Sequence, residues 1–180
     1  MNLADYFSAN GMSYESIPVE TNAEADAAYL AGRCDIYTTD ASGLYASRAG
    51  YPDPSAHVVL PEIVSKEPLG PSVRGNDSEW ADVVRWSLNA MIIAEEKGIT
   101  SGNVDDMIAN SPDPETQRLL GVKAGYGAWL GLSDDWAANI IRQVGNYSES
   151  FEKHIGVNTP INIARGLNAL YKDCLLYTSD

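Results

Sequence analysis

The feature that most constrains the fold is a change of pattern near residue 65. Before it, helical and strand-like segments alternate, and after it the apolar periodicity is almost entirely helical. The proline- and glycine-rich run KEPLGP at 66–71 separates the two parts, and such a run suits a connection between lobes. A compact single domain rarely changes character so sharply. The sequence therefore predicts two lobes, one of them incomplete.

The first part has the pattern of an α/β sheet. Strand-like segments, rich in β-branched and aromatic residues, are predicted at 14–20, 34–39 and 57–64. Helices are predicted at 3–10, from Thr21 to Gly32, and at 42–48. Thr21 and Glu24 have the spacing of a capping box. Alternation at this pitch predicts a mostly parallel sheet, in which ligands bind beyond the C-terminal ends of strands. Asp40 stands at such an end.

The second part is predicted to be a set of helices. They are expected at 79–97, 104–109, 114–120, 134–144, 147–155 and 160–171. Asp77 or Ser78 is the expected cap of the first, and Ser133 of the helix at 134–144. Thr159 is the expected cap of the last, with Pro160 at its first helical position.

Charge and hydropathy exclude some classes of function. The net charge of −13 disfavours binding to nucleic-acid phosphates, and no cluster of lysine and arginine offsets it. No apolar run approaches the roughly 20 residues that span a membrane. The first residues lack the basic and apolar regions of a signal peptide, which taken alone would indicate the cytosol. If the chain is a fragment, this observation carries no weight.

No catalytic or metal-binding motif is present. His57 and His154 are far apart in the sequence and are more consistent with surface or helix-end positions than with catalysis. Cys34 and Cys174 are too few for a metal site. The glycine-rich run at 125–131 lacks the lysine of a phosphate-binding loop and is interpreted as a flexible loop. The adjacent carboxylates at 95–96, 105–106 and 134–135 are interpreted as solvated charges, because neighbouring residues do not face each other on a helix.

Asp40 allows two interpretations. A carboxylate at a strand end, after Thr38 and Thr39, can face a cleft and hold an ammonium ion. Such a pair contributes about 4 kcal/mol at about 4 Å and an effective dielectric constant near 20, before desolvation. Alternatively, the side chain caps the following helix through the backbone of Ser42 or Gly43. Spacing alone slightly favours the cap.

Several longer segments resemble a known family. They are GRCDIYTTD at 32–40, VVLPEIVSKEPLGP at 58–71, VRW at 84–86, QVGNY at 143–147 and IARGLNAL at 163–170. Together they are similar to the general L-amino-acid-binding periplasmic proteins of polar amino-acid ABC transporters. The resemblance runs from residue 2 to about residue 173, and an ordered series of matches is far more specific than one short motif.

The resemblance implies an α/β, type II periplasmic-binding-protein-like fold, whose two lobes close around a ligand by a hinge motion. Residues 1–65 correspond to lobe two without its first strand. Residues 66–173 correspond to the hinge crossover and the mostly helical C-terminal part of lobe one. We expect the signal peptide, the start of lobe one and the first strand of lobe two to lie outside this C-terminal fragment. Residues 174–180 depart from the family pattern, which indicates a sequence-end artefact.

The resemblance also implies a binding site and partners. Asp40 matches the aspartate that pairs with the α-ammonium of an L-amino acid, and Thr39 matches a neighbouring pocket position. The arginine for the α-carboxylate is expected outside this sequence, and Cys34 is a candidate for a disulfide with a cysteine there. The implied protein is a periplasmic monomer without a cofactor, metal or catalytic residue. It would deliver its ligand to an ABC transporter permease and would bind no nucleic acid.

Two other classes of function remain open. One is a periplasmic enzyme on the same fold, similar to cyclohexadienyl dehydratase, because one fold hosts both binding and catalysis. It would need a general acid or base in the cleft, and only Asp40 is available. The other is a cytosolic helical interaction protein, which the strand-like first third disfavours.

Overall fold

The computed structural model describes residues 2–65, 69–123 and 126–170. The chain divides into two compact units, residues 1–70 and 71–180. The boundary falls within the proline- and glycine-rich run, so each unit has its own packing.

The first unit contains three α-helices in its described residues. They are α1 (Asn2–Ala9), α2 (Asn22–Leu30) and α3 (Ala41–Gly50), followed by a short 3₁₀ turn at Pro54–Ala56. The predicted capping box of α2 is confirmed. The Glu24 N–H donates to Thr21 Oγ1 at 3.3 Å, and the Thr21 N–H donates to Glu24 Oε2 at 3.1 Å. This reciprocal pair fixes where α2 begins.

The predicted strands are not formed. Across the described part of the chain, residues 14–20, 34–39 and 57–64 have no strand conformation. A strand requires a neighbour that receives its backbone N–H and C=O groups. Residues 34–39 have no backbone hydrogen bond to any described segment. Ile36 is 66% exposed and Val58 76% exposed. The strand propensity is present in the sequence, but no partner strand is present among the described residues.

All the regular secondary structure in the described residues of the second unit is helical. Its helices are α4 (Ser78–Glu96), α5 (Val104–Asn110), α6 (Pro114–Leu119), α7 (Trp136–Val144) and α8 (Tyr147–His154), with 3₁₀ turns at Gly127–Leu130 and Gly166–Asn168. Asp77 caps α4 by accepting from the Trp80 N–H at 3.1 Å. Gly98, just beyond α4, has a φ of 68°, so the left-handed residue predicted to end the helix is confirmed.

Helix α4 is the central element of this unit and packs against both α7 and α8. The core consists of small and branched apolar side chains from α4, α5 and α7 and from the segments after α4 and α6: Ala94, Ile99, Val104, Leu120, Ala138 and Ile141. Two alanines of α4, Ala90 and Ala94, are buried, and such small side chains allow neighbouring helices to approach closely.

Two predicted helix starts are wrong. Helix α7 begins at Trp136 with Asp135 at its N-cap, and Ser133 instead donates its hydroxyl to the Asp135 carboxylate. The helix expected from residue 160 is absent over 160–165. Thr159 Oγ1 donates to the Gly156 carbonyl at 2.8 Å and accepts from the Asn162 N–H at 3.3 Å. Asn162 has a φ of 57°, a left-handed conformation that stops a right-handed helix.

Some predictions lie outside the described residues. These are residue 171 of the last predicted helix, the centre of the hinge crossover at 66–68, and the tail at 174–180 with Cys174. In the part of the chain that the structure describes, no helix has the length and hydrophobicity needed to cross a membrane.

Candidate functional site

Asp40 lies at the N-cap position of α3. Its backbone carbonyl accepts from the Leu44 N–H at 3.0 Å, but its side chain makes no capping hydrogen bond. The alternative interpretation, a cap through Ser42 or Gly43, is therefore wrong. The side chain is exposed, and no hydrogen bond or ion pair joins it to another described residue. A carboxylate at this position is available to an external cation.

Thr39 lies beside the first turn of α3. Its Cγ2 is 3.4 Å from the point where a Cβ on Gly43 would stand, so the glycine leaves room for the threonine methyl group. Thr39 is also exposed. The two residues predicted to line the pocket thus lie together at the N-terminal end of one helix, on the surface of the first unit.

A cluster of hydroxyl groups and rings lies behind this helix. The Tyr51 hydroxyl donates to Asp26 Oδ1 at 2.7 Å, and the Ser47 hydroxyl is 3.5 Å from Asp26 Oδ2. The Tyr29 hydroxyl is 2.9 Å from His57 Nδ1, and the Tyr51 and His57 ring centroids are 4.8 Å apart. The cluster joins α2, α3 and the turn that follows α3.

Tyrosine pKa values reflect this environment. Burial, followed by the hydrogen bond to Asp26 and its negative charge, raises the pKa of Tyr51 well above its usual range. Burial, followed by the Asp26 charge, also raises the pKa of Tyr37. Both hydroxyl groups therefore remain protonated at any physiological pH, and Tyr51 remains a hydrogen-bond donor.

The sequence did not reveal this cluster. His57 was expected at the surface or at a helix end, yet it is half-buried between two tyrosine rings. One signal was available: Asp26 and Tyr29 are spaced by three residues in the otherwise alanine-rich helix α2. Residues three apart lie on the same face of a helix, so this spacing places both polar groups on one side of α2.

Two arginines of the second unit, Arg142 and Arg165, are bound by carboxylates. The Arg165 guanidinium binds Glu95 through two bonds, of 2.8 and 3.1 Å, and lies over the rings of Tyr147 and Phe151. Arg142 pairs with Asp105 at 2.6 Å. The expectation of a solvated charge is therefore wrong for Glu95, whose side chain is only 12% exposed. It is confirmed for Asp105, whose side chain is 75% exposed although it pairs with Arg142.

The Arg165 pair borders a cleft of about 300 Å³. Ile92, Tyr147 and Asn168 line it with the ion pair. Arg165 also donates to the Asn168 carbonyl at 2.6 and 3.1 Å, so its donors are largely satisfied within the protein. It is not a candidate for binding the carboxylate of a ligand. Within the described ranges, no group of three or more histidine, cysteine or acidic side chains could hold a metal ion.

The backbone is that of a periplasmic binding protein. The structure superposes with a TM-score of 0.90 on an ABC transporter periplasmic binding protein from Brucella ovis with glutathione bound. The two chains are 52% identical, and the superposition covers 98% of this chain and 55% of the Brucella chain. This similarity confirms the fold predicted from the sequence resemblance.

Three curated proteins similar to this chain are named as amino-acid-binding proteins or as an amino-acid transporter-binding protein. The chain is 54% identical over 173 residues to the general L-amino acid-binding periplasmic protein AapJ of Rhizobium johnstonii. It is 51% identical over 169 residues to the glutamate/glutamine/aspartate/asparagine-binding protein BztA of Rhodobacter capsulatus. It is 49% identical to the putative amino-acid ABC transporter-binding protein YhdW of Escherichia coli K12. These similarities confirm the predicted resemblance.

The matches cover nearly all of this chain but only part of each relative. They include 94–96% of this chain, which spans about half the length of the curated relatives that it matches. No protein-family model matches the chain.

Proposed function

We propose that this chain is part of the substrate-binding component of an ABC importer that captures free L-amino acids in the periplasm. The observation that carries the proposal is the Asp40 carboxylate, which is exposed and has no partner among the described residues. Asp40 belongs to a chain whose sequence is 51–54% identical to two amino-acid-binding proteins over the matched residues. The relatives are binding proteins, and we propose a binding function here rather than an enzymatic one.

In this proposal, Asp40 binds the α-ammonium group of the ligand and Thr39 lines the same pocket. A zwitterionic ligand presents one cation and one anion, so a complete site needs an anionic and a cationic group. This chain supplies the anion. The cation for the α-carboxylate is expected in the half of the relatives' length that this chain does not span. The ligand would then bridge two lobes, and the closed form would be the one that a membrane permease recognises.

The test uses a receptor of full family length. This chain is joined to the remaining half of the Rhizobium johnstonii relative, and L-amino acids are titrated into the chimera by calorimetry. Glutathione belongs in the panel because the Brucella ovis structure contains it. The matched variants are Asp40→Asn and Asp35→Asn. Asp35 is an exposed aspartate in the same segment and serves as the control.

We expect the chimera to bind at least one ligand of the panel. Asp40→Asn should raise the Kd by a factor of about 100 or more, because loss of a charge-assisted hydrogen bond costs about 3 kcal/mol. Asp35→Asn should change the Kd by less than about twofold. Absence of binding across the panel by a folded chimera would exclude amino-acid capture. Equal losses from the two substitutions would show a general charge effect and remove Asp40 from the site.

A further inference from the structure

Asp26 is a carboxylate of α2, and both of its side-chain oxygens face hydroxyl groups of α3 and the residue that ends it. Its Oδ1 accepts from the Tyr51 hydroxyl at 2.7 Å, and its Oδ2 lies 3.5 Å from the Ser47 hydroxyl. Ser47 belongs to α3, and Tyr51 is the C-cap of α3. One side chain of α2 therefore holds the C-terminal half of the helix that begins after Asp40.

Tyr51 is also held through its ring. Its centroid lies 4.8 Å from that of His57 and 6.0 Å from that of Tyr29. Tyr29 also contacts His57, because its hydroxyl is 2.9 Å from His57 Nδ1. The three rings therefore contact one another. The Tyr51 hydroxyl therefore has little freedom to leave Asp26, since moving it would also disturb the packing of two neighbouring rings.

The negative charge of Asp26 also acts on the segment that precedes Asp40. After burial, this charge contributes to the raised pKa of Tyr37, which is three residues before Asp40 in the chain. The carboxylate that holds the C-terminal half of α3 therefore also interacts electrostatically with the segment that leads into Asp40.

We propose that Asp26 is a positioning residue for Asp40, setting the orientation of α3 and hence the place where the Asp40 carboxylate meets a ligand ammonium group. The assignment rests on the proposed function for its ligand, and it gives Asp26 and Asp40 different roles. Asp26 is satisfied by hydroxyl donors inside the protein, whereas Asp40 has no partner among the described residues.

The first experiment measures amino-acid affinity in the full-length chimera. Asp26→Asn keeps the size of the side chain but weakens acceptance from Tyr51, and Tyr51→Phe removes only the donor. Tyr45→Phe is the matched control, because Tyr45 is on α3 and its hydroxyl has no hydrogen-bond partner among the described residues. We expect Asp26→Asn to weaken binding about tenfold and Tyr51→Phe about threefold, with the control changing by less than about twofold.

A double-mutant cycle separates positioning from general stabilisation. If Asp26 acts through Asp40, Asp26→Asn should cause little further loss of binding in a protein that already carries Asp40→Asn. An equal loss in both backgrounds would mean that Asp26 only stabilises the lobe, and it would overturn the proposal. Wild-type affinity in both Asp26→Asn and Tyr51→Phe would overturn it as well.

A second measurement does not depend on ligand binding. The Leu44 N–H donates to the Asp40 carbonyl at 3.0 Å, so its hydrogen exchange reports the first turn of α3. Asp26→Asn should speed this exchange without changing the exchange of core amides in α4. If the chimera binds no amino acid but Leu44 responds, the proposed function fails while the positioning role stands. If Leu44 exchanges at the wild-type rate, the positioning role is overturned.

Discussion

Glu95 and Arg165 form the least exposed ion pair among the described residues, with side chains 12% and 16% exposed. The two bonds of 2.8 and 3.1 Å connect α4 to the segment before the last 3₁₀ turn, across 70 residues of sequence. The Tyr147 and Phe151 rings cover the guanidinium at 5.3 and 5.5 Å. Because a charge in this environment is poorly solvated, each partner depends on the other more than a surface charge would.

This burial predicts the cost of removing one partner. Glu95→Gln should lower the free energy of unfolding by about 3 kcal/mol, since it leaves the Arg165 charge uncompensated. The matched control is Asp82→Asn, which breaks the exposed Arg85–Asp82 pair of α4, with side chains 69% and 51% exposed. That change should cost less than about 0.5 kcal/mol. Urea denaturation of both variants compares them. Equal losses would show that solvent screens the Glu95 pair as well.

At the scale of the element, two capping boxes show how burial alters the same motif. Thr21 caps α2 at an exposed site. Asn146 caps α8 but is only 4% exposed. The oxygen and the nitrogen of its side-chain amide bind different segments. Its Oδ1 accepts from the Glu149 N–H at 2.9 Å, while its Nδ2 donates to the Ile99 carbonyl at 2.9 Å. The buried cap therefore also ties α8 to the loop after α4.

The two caps predict different losses on truncation. Thr21→Ala should cost about 1 kcal/mol, the usual value of an exposed cap. Asn146→Ala removes the cap and also leaves the buried Ile99 carbonyl without its donor, so it should cost about 3 kcal/mol. Thermal or urea unfolding of the two variants measures both losses. A loss of only about 1 kcal/mol for Asn146→Ala would mean that water replaces the amide at Ile99.

The sequence predicted the helices well because their signals are local. The capping box of α2, the Asp77 cap of α4 and the terminal Gly98 depend on residues a few positions apart, and all three are confirmed. The prediction of a helix from residue 160 was wrong, although it also relied on a local signal. Thr159 and Asn162 form a turn there instead. The spacing did not distinguish a helix cap from a turn.

Contacts between residues far apart in the chain could not be predicted from the sequence. Asp26 and Tyr51 are 25 residues apart, and Glu95 and Arg165 are 70 residues apart. No local pattern specifies which polar groups meet over such distances. The position of Asp40 at the start of α3 was predicted correctly, but the lack of a side-chain cap was not, because spacing alone allowed a bond to Ser42 or Gly43.

At the scale of the whole molecule, the β-prone segments of the first unit expose large apolar side chains that would be buried in a sheet. Ile36, Val58, Leu60 and Ile63 are 59–76% exposed, far more than such side chains usually are in a sheet. Their chemistry is that of buried strands, and the relatives are about twice as long as this chain. Residues from the other half of such a protein would supply the missing backbone partners and cover these side chains.

This reasoning predicts a difference between the 180-residue chain and the full-length chimera. Amides at 34–39 should exchange hydrogen within seconds to minutes in the isolated chain, because they have no backbone hydrogen-bond partner in the described part of the chain. In the chimera, the same amides should be protected by a factor of 100 or more, as in a paired strand. The core residues Ala94 and Ile141 serve as the control, because they lie within helices α4 and α7 of the second unit. Under the proposed function, the isolated chain should also bind amino acids far more weakly than the chimera, because the proposed site has only its anionic group, Asp40, in this chain. Strong protection of residues 34–39 in the isolated chain would show that the first unit pairs these strands by itself, and the need for a partner segment would then be disproved.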